Sequence, residues 1–480
     1  MRLLPLLTGF GLTGLVHDSD HPSSLPNSVV KLDAYIAEET HTAKSCLLAN
    51  IGPDGAKSHG ALAGLVIASP STQNPDYLFS WTRDSALVFK LLIEDFVAGD
   101  DLFLRGLIDA YITVESLLQQ TSNPSGAAGK DGLGEPKFNV DGSPFLRPWG
   151  RPQRDGPALR ATALIQYAGW LWKNGNSTYV EKSLWPIIRL DLDYVAANWR
   201  EPTFDLWEEI NSTSFFTAAV QHRSLREGSA LASTLERHAE SHTYDTQADS
   251  VLCFMQSFWN PRDTHIIANT GGGRSGLDSN TVLASIHTFD LAAGCDPITF
   301  QPCSDRALAN LMKYVDSFRA IYPINKLAHK SDPIATGRYP EDVYFGGNPW
   351  YIATLAVAEQ LYDALLTWDA LGAITVTPTS KAFFEQFSPD IAPGTYRSDS
   401  SSTYSQLSDA IRAHADGFVE IVARHTPPDG RLAEQFDKTS GKPASAADLT
   451  WSYAAALTAF RSRKGGFGGS WGAKGLEAVC

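Results

Sequence analysis

No extended basic run occurs in this chain of 480 residues, and its net charge is −14. Nucleic acid and anionic membrane surfaces both need clustered Lys or Arg, so neither is an expected partner. Long apolar runs are also scarce. The stretch Leu3 to Val16, behind Met1-Arg2, reads as a secretory signal over 1–16 and is too short to span a bilayer. No other segment approaches the ~20 apolar residues a membrane helix requires. Motifs for zinc, nucleotide and acyl-serine chemistry are missing too. His238-Ala-Glu-Ser-His242 puts its Glu out of place for a zinc-protease helix, and Gly271-Gly-Gly-Arg-Ser lacks the Lys of a phosphate loop. Gly468-Gly-Ser-Trp-Gly472 lacks the strand that a nucleophile elbow follows. Neither a metal nor a cofactor is therefore expected. Cysteine is limited to five residues, which suits two disulfides and one leftover thiol in a secreted chain. Cys295–Cys303 bracket a short loop, Cys253–Cys480 can tie down the C-terminus, and Cys46 is expected as a buried free thiol.

What is present is a hydrophobic content of 43% with 19% charged residues, ample for a large core. Helical punctuation dominates. Ser28 can cap a helix that stops before Gly52; Pro157 suits a first helical position of a run ending near Gly175; Asn348-Pro349 repeats that signal before a run ending at Gly372. Similar patterns cover roughly 84–98, 103–120, 180–199, 217–239, 304–321, 404–425 and 447–462. Strand alternation is rare and no repeat of fixed period is visible. The expected fold is all-α: a ring of paired helices over 28–463, followed by a flexible Gly-rich tail over 464–480. Long loops at 69–84, 121–157, 200–216, 334–350 and 427–451 are rich in Gly, Pro, Trp, Asp and Arg, too aromatic for disorder, and are expected to converge on one pocket. Sequons at Asn176 and Asn211 fit secretion.

Chemistry is carried by carboxylates. Asp205-Leu206-Trp207-Glu208-Glu209 sets two acids side by side next to an indole. On its own the pair reads as a solvated acidic turn or a helix start. Company changes the reading: Trp81-Thr-Arg83-Asp84, Arg338-Tyr-Pro-Glu-Asp342 and the lone Glu434 all lie in aromatic loops. Acid pairs, Arg–Asp pairs and loop indoles on an acidic secreted helical chain are the parts of a glycosidase.

Several longer phrases resemble the fungal glucoamylases of glycoside hydrolase family 15. They are Ala68-Ser-Pro-Ser-Thr, Asn74-Pro-Asp-Tyr77, Trp81-Thr-Arg-Asp84, Gly134-Glu-Pro-Lys-Phe-Asn139 and Trp149-Gly-Arg-Pro-Gln-Arg-Asp-Gly-Pro157. Asp205-Leu-Trp-Glu-Glu209, Arg338-Tyr-Pro-Glu-Asp342, Gly347-Asn-Pro-Trp350, Glu434-Gln and Asp448-Leu-Thr-Trp-Ser-Tyr453 continue the order over about 28–472. The resemblance implies an (α/α)6 barrel, a six-hairpin toroid, that releases β-D-glucose from non-reducing ends of starch, dextrins and maltooligosaccharides. It implies Glu208 as general acid and Glu434 as general base, their carboxyls roughly 6.5–9.5 Å apart as inversion requires. It assigns sugar contacts to Tyr77, Trp81, Arg83, Asp84, Lys137, Trp149, Leu206, Glu209, Arg338, Asp342, Tyr344, Trp350 and Trp451. Ser445 and Tyr77 are expected to support the base by hydrogen bonds that lower its pKa. Phe436 and Phe345-Gly346 stand where more polar residues are expected, which bears on subsite affinity. A monomer without a starch-binding domain is expected, better on soluble dextrins than on granules. The alternatives are a same-fold exo-enzyme for dextran or trehalose, and a non-catalytic sugar binder.

Overall fold

A computed structural model describes residues 27–480, with the backbone alone over 27–30; the expected signal segment and the side chain of Ser28 lie outside the described residues. Among the described residues, twelve helices of eight residues or more carry the fold. In chain order they are α1 Asn27–Ala49, α2 Thr82–Ala98, α3 Arg105–Gln119, α4 Asp155–Lys173, α5 Trp185–Asn198 and α6 Phe215–Thr234. They continue with α7 His238–Met255, α8 Asn280–His287, α9 Asp305–Ser317, α10 Tyr351–Leu371, α11 Ser402–His425 and α12 Thr450–Arg463.

Helices α2, α4, α6, α8, α10 and α12 each pack on the next, and α12 returns to α2, so the even-numbered helices close an inner ring. The odd-numbered helices lie outside it: α1 on α12 and α11, α3 on α2, α5 on α4 and α6, α7 on α6, α9 on α8 and α11 on α10. This is the expected (α/α)6 barrel. Its sequence logic is burial. Helix α10 is apolar almost all round because it has neighbours on both sides, with Ile352, Leu355, Val357, Leu361 and Trp368 all buried. Helix α9 needs one apolar stripe only, and Leu308, Leu311, Tyr314 and Val315 supply it at helical spacing. A buried ion triad fixes α4: Arg160 donates to Asp191 of α5 through Nε at 2.8 Å and Nη2 at 2.6 Å, and to Glu115 of α3 through Nη1 at 2.8 Å.

Some boundaries differ from the sequence reading. Pro157 is the third residue of α4, and α10 begins at Tyr351, beyond Asn348-Pro349. The pattern read as 217–239 is broken by a turn at Leu235–Arg237, where Glu236 has φ +59°, and α7 follows. Helix α7 escaped detection as an outer helix because its sequence is largely polar, and α8 because eight residues show barely two turns. Five ribbons of two strands each are the sheet structure among the described residues. Both expected disulfides, Cys253–Cys480 and Cys295–Cys303, are formed. Cys46 is free, but half-buried rather than buried. The glycines of the tail do not leave it loose: Asp290 Oδ2 accepts the backbone N–H groups of Trp471, Gly472 and Ala473 and the hydroxyl of Ser470, and Trp471 is buried.

Candidate active site

Because the inner helices are all entered from an odd-numbered partner, the long loops that precede them gather at one end of the ring. Five of these loops, those leading into α2, α4, α6, α10 and α12, line a cavity of about 600 Å³. That volume falls within the ~300–1,000 Å³ of small-ligand sites. Fourteen of the sixteen residues singled out from the sequence line it: Tyr77, Trp81, Arg83, Asp84, Lys137, Trp149, Leu206, Glu208, Glu209, Arg338, Tyr344, Trp350, Glu434 and Trp451. Asp342 and Ser445 do not line it; each stands behind a residue that does.

The acidic pair is built by Asp205. Its Oδ1 accepts the backbone N–H of Glu209 at 2.9 Å and of Ile210 at 3.1 Å, and its Oδ2 accepts Asn269 Nδ2 at 3.1 Å. This clasp bends the chain so that Glu208 adopts φ +67°, a left-handed conformation unusual for a residue with a Cβ. The two glutamates diverge as a result. Glu208 Oε1 accepts Trp81 Nε1 at 2.6 Å and Gln153 Nε2 at 2.9 Å, while no protein group donates to Oε2 among the described residues. Glu209 Oε1 accepts Arg338 Nη2 at 2.9 Å, and Oε2 accepts Arg274 Nη2 at 2.6 Å and the Tyr339 hydroxyl. Burial alone would raise the pKa of Glu209, but Arg338, Tyr339 and Arg274 together hold it below the usual carboxylate value.

Arg83 and Asp84 occupy the first turn of α2 and are 5% and 7% exposed. The guanidinium is fixed by Gln153 Oε1 at 2.7 Å and Asp155 Oδ2 at 3.0 Å. Burial raises the pKa of Asp84 to about 7; Arg83 opposes the rise, while Glu208 and Asp155 add to it. Arg338 is held from behind by Asp342, whose Oδ2 accepts Nε at 2.8 Å and whose Oδ1 accepts Nη2 at 2.6 Å. Lys137 puts its ammonium over the faces of Trp149 at 3.6 Å, Phe79 at 4.1 Å, Phe145 at 4.3 Å and Trp81 at 4.4 Å. Burial among these rings lowers its pKa to about 8.

Glu434 is 1% exposed. Its Oε2 accepts the Ser445 hydroxyl at 2.5 Å and Gln435 Nε2 at 3.2 Å. The Tyr77 hydroxyl, paired with that of Tyr344 at 2.7 Å, also favours the ionised form. The expectation of a lowered pKa is nevertheless corrected. Burial outweighs these bonds and the charge of Arg338, and Glu434 is raised to about 7. Three buried N–H donors of residues lining the cavity, Arg83 Nε, Trp149 Nε1 and Trp350 Nε1, have no hydrogen-bond acceptor among the described residues. Phe345 lines the cavity, whereas Phe436 turns away and stacks on His425 in the core.

Sequence reasoning missed several contributors. Gln153 and Asp155 sit inside the quoted phrase 149–157 and were visible there. Arg274 lies in the Gly-rich segment that lacks the Lys of a phosphate loop, Tyr339 sits inside the phrase 338–342, and nothing in the sequence distinguishes Phe79 or Phe145.

An (α/α)6 ring whose loops present two unlike carboxyls to an aromatic-lined pocket of about 600 Å³ defines a glycoside hydrolase. The chain belongs to the glycosyl hydrolases family 15, whose sequence profile matches residues 41–461. Glucoamylase-1 of Schizophyllum commune is 58% identical over 450 residues, 93% of this chain and 77% of that protein. A glucoamylase of Neurospora crassa is 52% identical over 470 residues, covering 98% and 74% of the two chains. The solved family 15 glucoamylase of Hypocrea jecorina superposes with a TM-score of 0.90 at 53% identity, over 92% of this chain and 74% of that one.

Proposed function

We propose that this glucan 1,4-α-glucosidase, an exo-acting enzyme on starch, works by inversion, with Glu208 as general acid and Glu434 as general base. The observation that carries the assignment is the way the two carboxyls are held in one cavity. Each commits one oxygen to fixed protein donors, Glu208 through Oε1 and Glu434 through Oε2. The remaining oxygen of each is free to handle a proton. Glu208 gives its proton from Oε2 to the glycosidic oxygen as the C1–O bond breaks. Glu434 takes a proton from the water that attacks C1 on the opposite face, and the product is the β-anomer.

Glu209 and Arg338 serve the leaving-side sugar. Arg83 and Asp84 clamp the terminal glucose, and a chain running past it would leave these buried groups unpaired, which favours exo-cleavage. The neighbours named glucoamylase weigh against the dextran and trehalose alternatives and against a mere binder. Secretion, a catalytic unit over 28–463 and a monomeric state belong to the same reading. Glycan attachment is compatible with position, since Asn211 is exposed and Asn176 half-buried. Among the described residues no helix is long and apolar enough to cross a membrane. The experiment is the anomer released from maltose by fresh enzyme, read by polarimetry or NMR. β-Glucose is expected; α-glucose would overturn the mechanism.

A further inference from the structure

The loop leading into α8 differs from the five that line the catalytic cavity: among the described residues it sends none there. Instead it braces the acidic turn from behind. Asn269 Nδ2 donates to Asp205 Oδ2 at 3.1 Å, Arg274 Nη2 donates to Glu209 Oε2 at 2.6 Å, and Trp207 Nε1 donates to Asp278 Oδ1 at 2.8 Å. Asp278 is 2% exposed and stands just before α8. The backbone N–H of Asn280, the first residue of α8, gives the same Oδ1 a second bond at 2.8 Å. Ser279 between them donates its backbone N–H to the carbonyl of Arg338 at 2.8 Å. The carboxyl is thus tied to an inner helix and not to the turn it holds.

The Trp207 indole lines the cavity and packs on Trp350, with ring centres 5.3 Å apart, and on Trp451 at 6.5 Å. Ring contacts are weakly directional, whereas the bond from Nε1 admits one setting of the indole. Glu208 follows Trp207 directly, in the left-handed conformation that only a constrained setting maintains. Asp205 grips the backbone after Glu208, at Glu209 and Ile210, and Asp278 grips the side chain before it. Glu208 lies between the two grips, and the aim of its free Oε2 depends on both.

We infer that Asp278 is a positioning residue for the general acid: by fixing the Trp207 indole it holds the turn that aims Glu208 Oε2 at the glycosidic oxygen. This role rests on the assignment of Glu208 as acid and adds a residue from outside the cavity to it. Burial keeps the Asp278 carboxyl up at about 8; Trp207, Asn280 and Arg274 oppose the rise, and Asp205 adds to it. In the acid and neutral range Asp278 is therefore an uncharged acceptor, which an amide can replace.

The test measures kcat and KM on maltose and on α-glucosyl fluoride, whose leaving group needs no proton. The variants are Asp278→Ala, Asp278→Asn, Trp207→Phe and the double variant Asp278→Ala with Trp207→Phe. In Asp278→Ala, and in Trp207→Phe, which keeps a ring but no donor, kcat on maltose should fall about fivefold, the size of one lost hydrogen bond. The fluoride should lose far less, because it does not use the proton. Asp278→Asn keeps the acceptor and should recover most of the loss. The double variant should be no slower than Asp278→Ala, since both substitutions break the same bond. A double variant slower by about twenty-fivefold would show two independent residues and overturn the role. Equal losses on maltose and the fluoride in Asp278→Ala also overturn it and make Asp278 a folding residue, as does an unchanged kcat on maltose in both single variants. Trp207→Phe carries the comparison if Asp278→Ala does not fold. Glu208→Gln tests the acid assignment separately: equal loss on both substrates there removes the acid, while a loss confined to maltose there, with none in the Asp278 and Trp207 variants, removes Asp278 alone.

Discussion

Ser445 gives its hydroxyl to Glu434 Oε2 at 2.5 Å, across a ribbon in which Gln435–Phe436 pairs with Pro443–Ala444. Ser445 has φ +62°, so the backbone accepts a left-handed conformation to aim that hydroxyl. A hydrogen bond to a charged group contributes about 1.5–3 kcal/mol, which is about one pKa unit or more in favour of the carboxylate. Ser445→Ala should therefore raise the acid limb of the kcat/KM profile by about one unit, because the base must be ionised to act. Because Glu434 already stands at about 7, the loss of rate should extend through neutral pH and fade only above the raised limb. A pH profile settles it: an acid limb that does not move would remove Ser445 from the role.

The raised pKa of Glu434 has a consequence for stability. Folding moves this carboxyl from a model value of 4.5 to about 7, chiefly by burial. The folded state thus binds the proton more tightly than the unfolded chain. The contribution of the protonated group is fully present below pH 4.5 and is lost as pH rises through about 7. A shift of this size corresponds to about 3 kcal/mol of destabilisation above neutrality. Glu434→Gln, which cannot ionise, should gain stability over the wild type as pH is raised from 4 to 8. Paired denaturant titrations at both pH values test this; a difference independent of pH would show that Glu434 is not desolvated in the fold.

The ring was legible in the sequence because burial writes itself in periodicity. Helix α10 is apolar on every face and α9 on one, and both were found from spacing alone. Helix α7 was missed because an outer helix with a polar surface leaves little contrast, and the eight residues of α8 left too short a pattern. The site was legible wherever a chemical residue sits in a long recognisable phrase, as Arg83, Glu208 and Arg338 do. What could not be read is the balance of opposing terms. Ser445 and Tyr77 do favour ionised Glu434, yet only packing reveals that burial exceeds them. Spacing likewise could not show that Asp342 stands behind Arg338 rather than in the cavity.

That arrangement makes Asp342 a positioning residue. It forms a two-pronged pair with Arg338 and also accepts the backbone N–H of Tyr344 at 2.8 Å. Asp342→Asn preserves shape but withdraws the charge opposite a buried guanidinium, an uncompensated loss on the order of 3 kcal/mol. Arg338 should then lean more on Glu209, and the leaving-side sugar should be held less well. The expected result is a KM for maltose raised about tenfold with a smaller change in kcat, in a protein that still unfolds cooperatively. A fall in kcat with KM unchanged would contradict this.

The acid and the base can be separated by the leaving group. In Glu208→Gln the amide oxygen can still accept from Trp81 Nε1 and Gln153 Nε2, so the loop should keep its shape. The proton on the other atom is no longer transferable, and hydrolysis of maltose should fall by about 10³-fold, within the range of general acid catalysis. Fluoride leaves without protonation, so α-glucosyl fluoride should remain a good substrate for Glu208→Gln. Glu434→Gln lacks the group that activates water and should fail on both substrates. Equal loss on maltose and on the fluoride in Glu208→Gln would mean that Glu208 is not the proton donor, and the roles assigned from the two free oxygens would have to be exchanged.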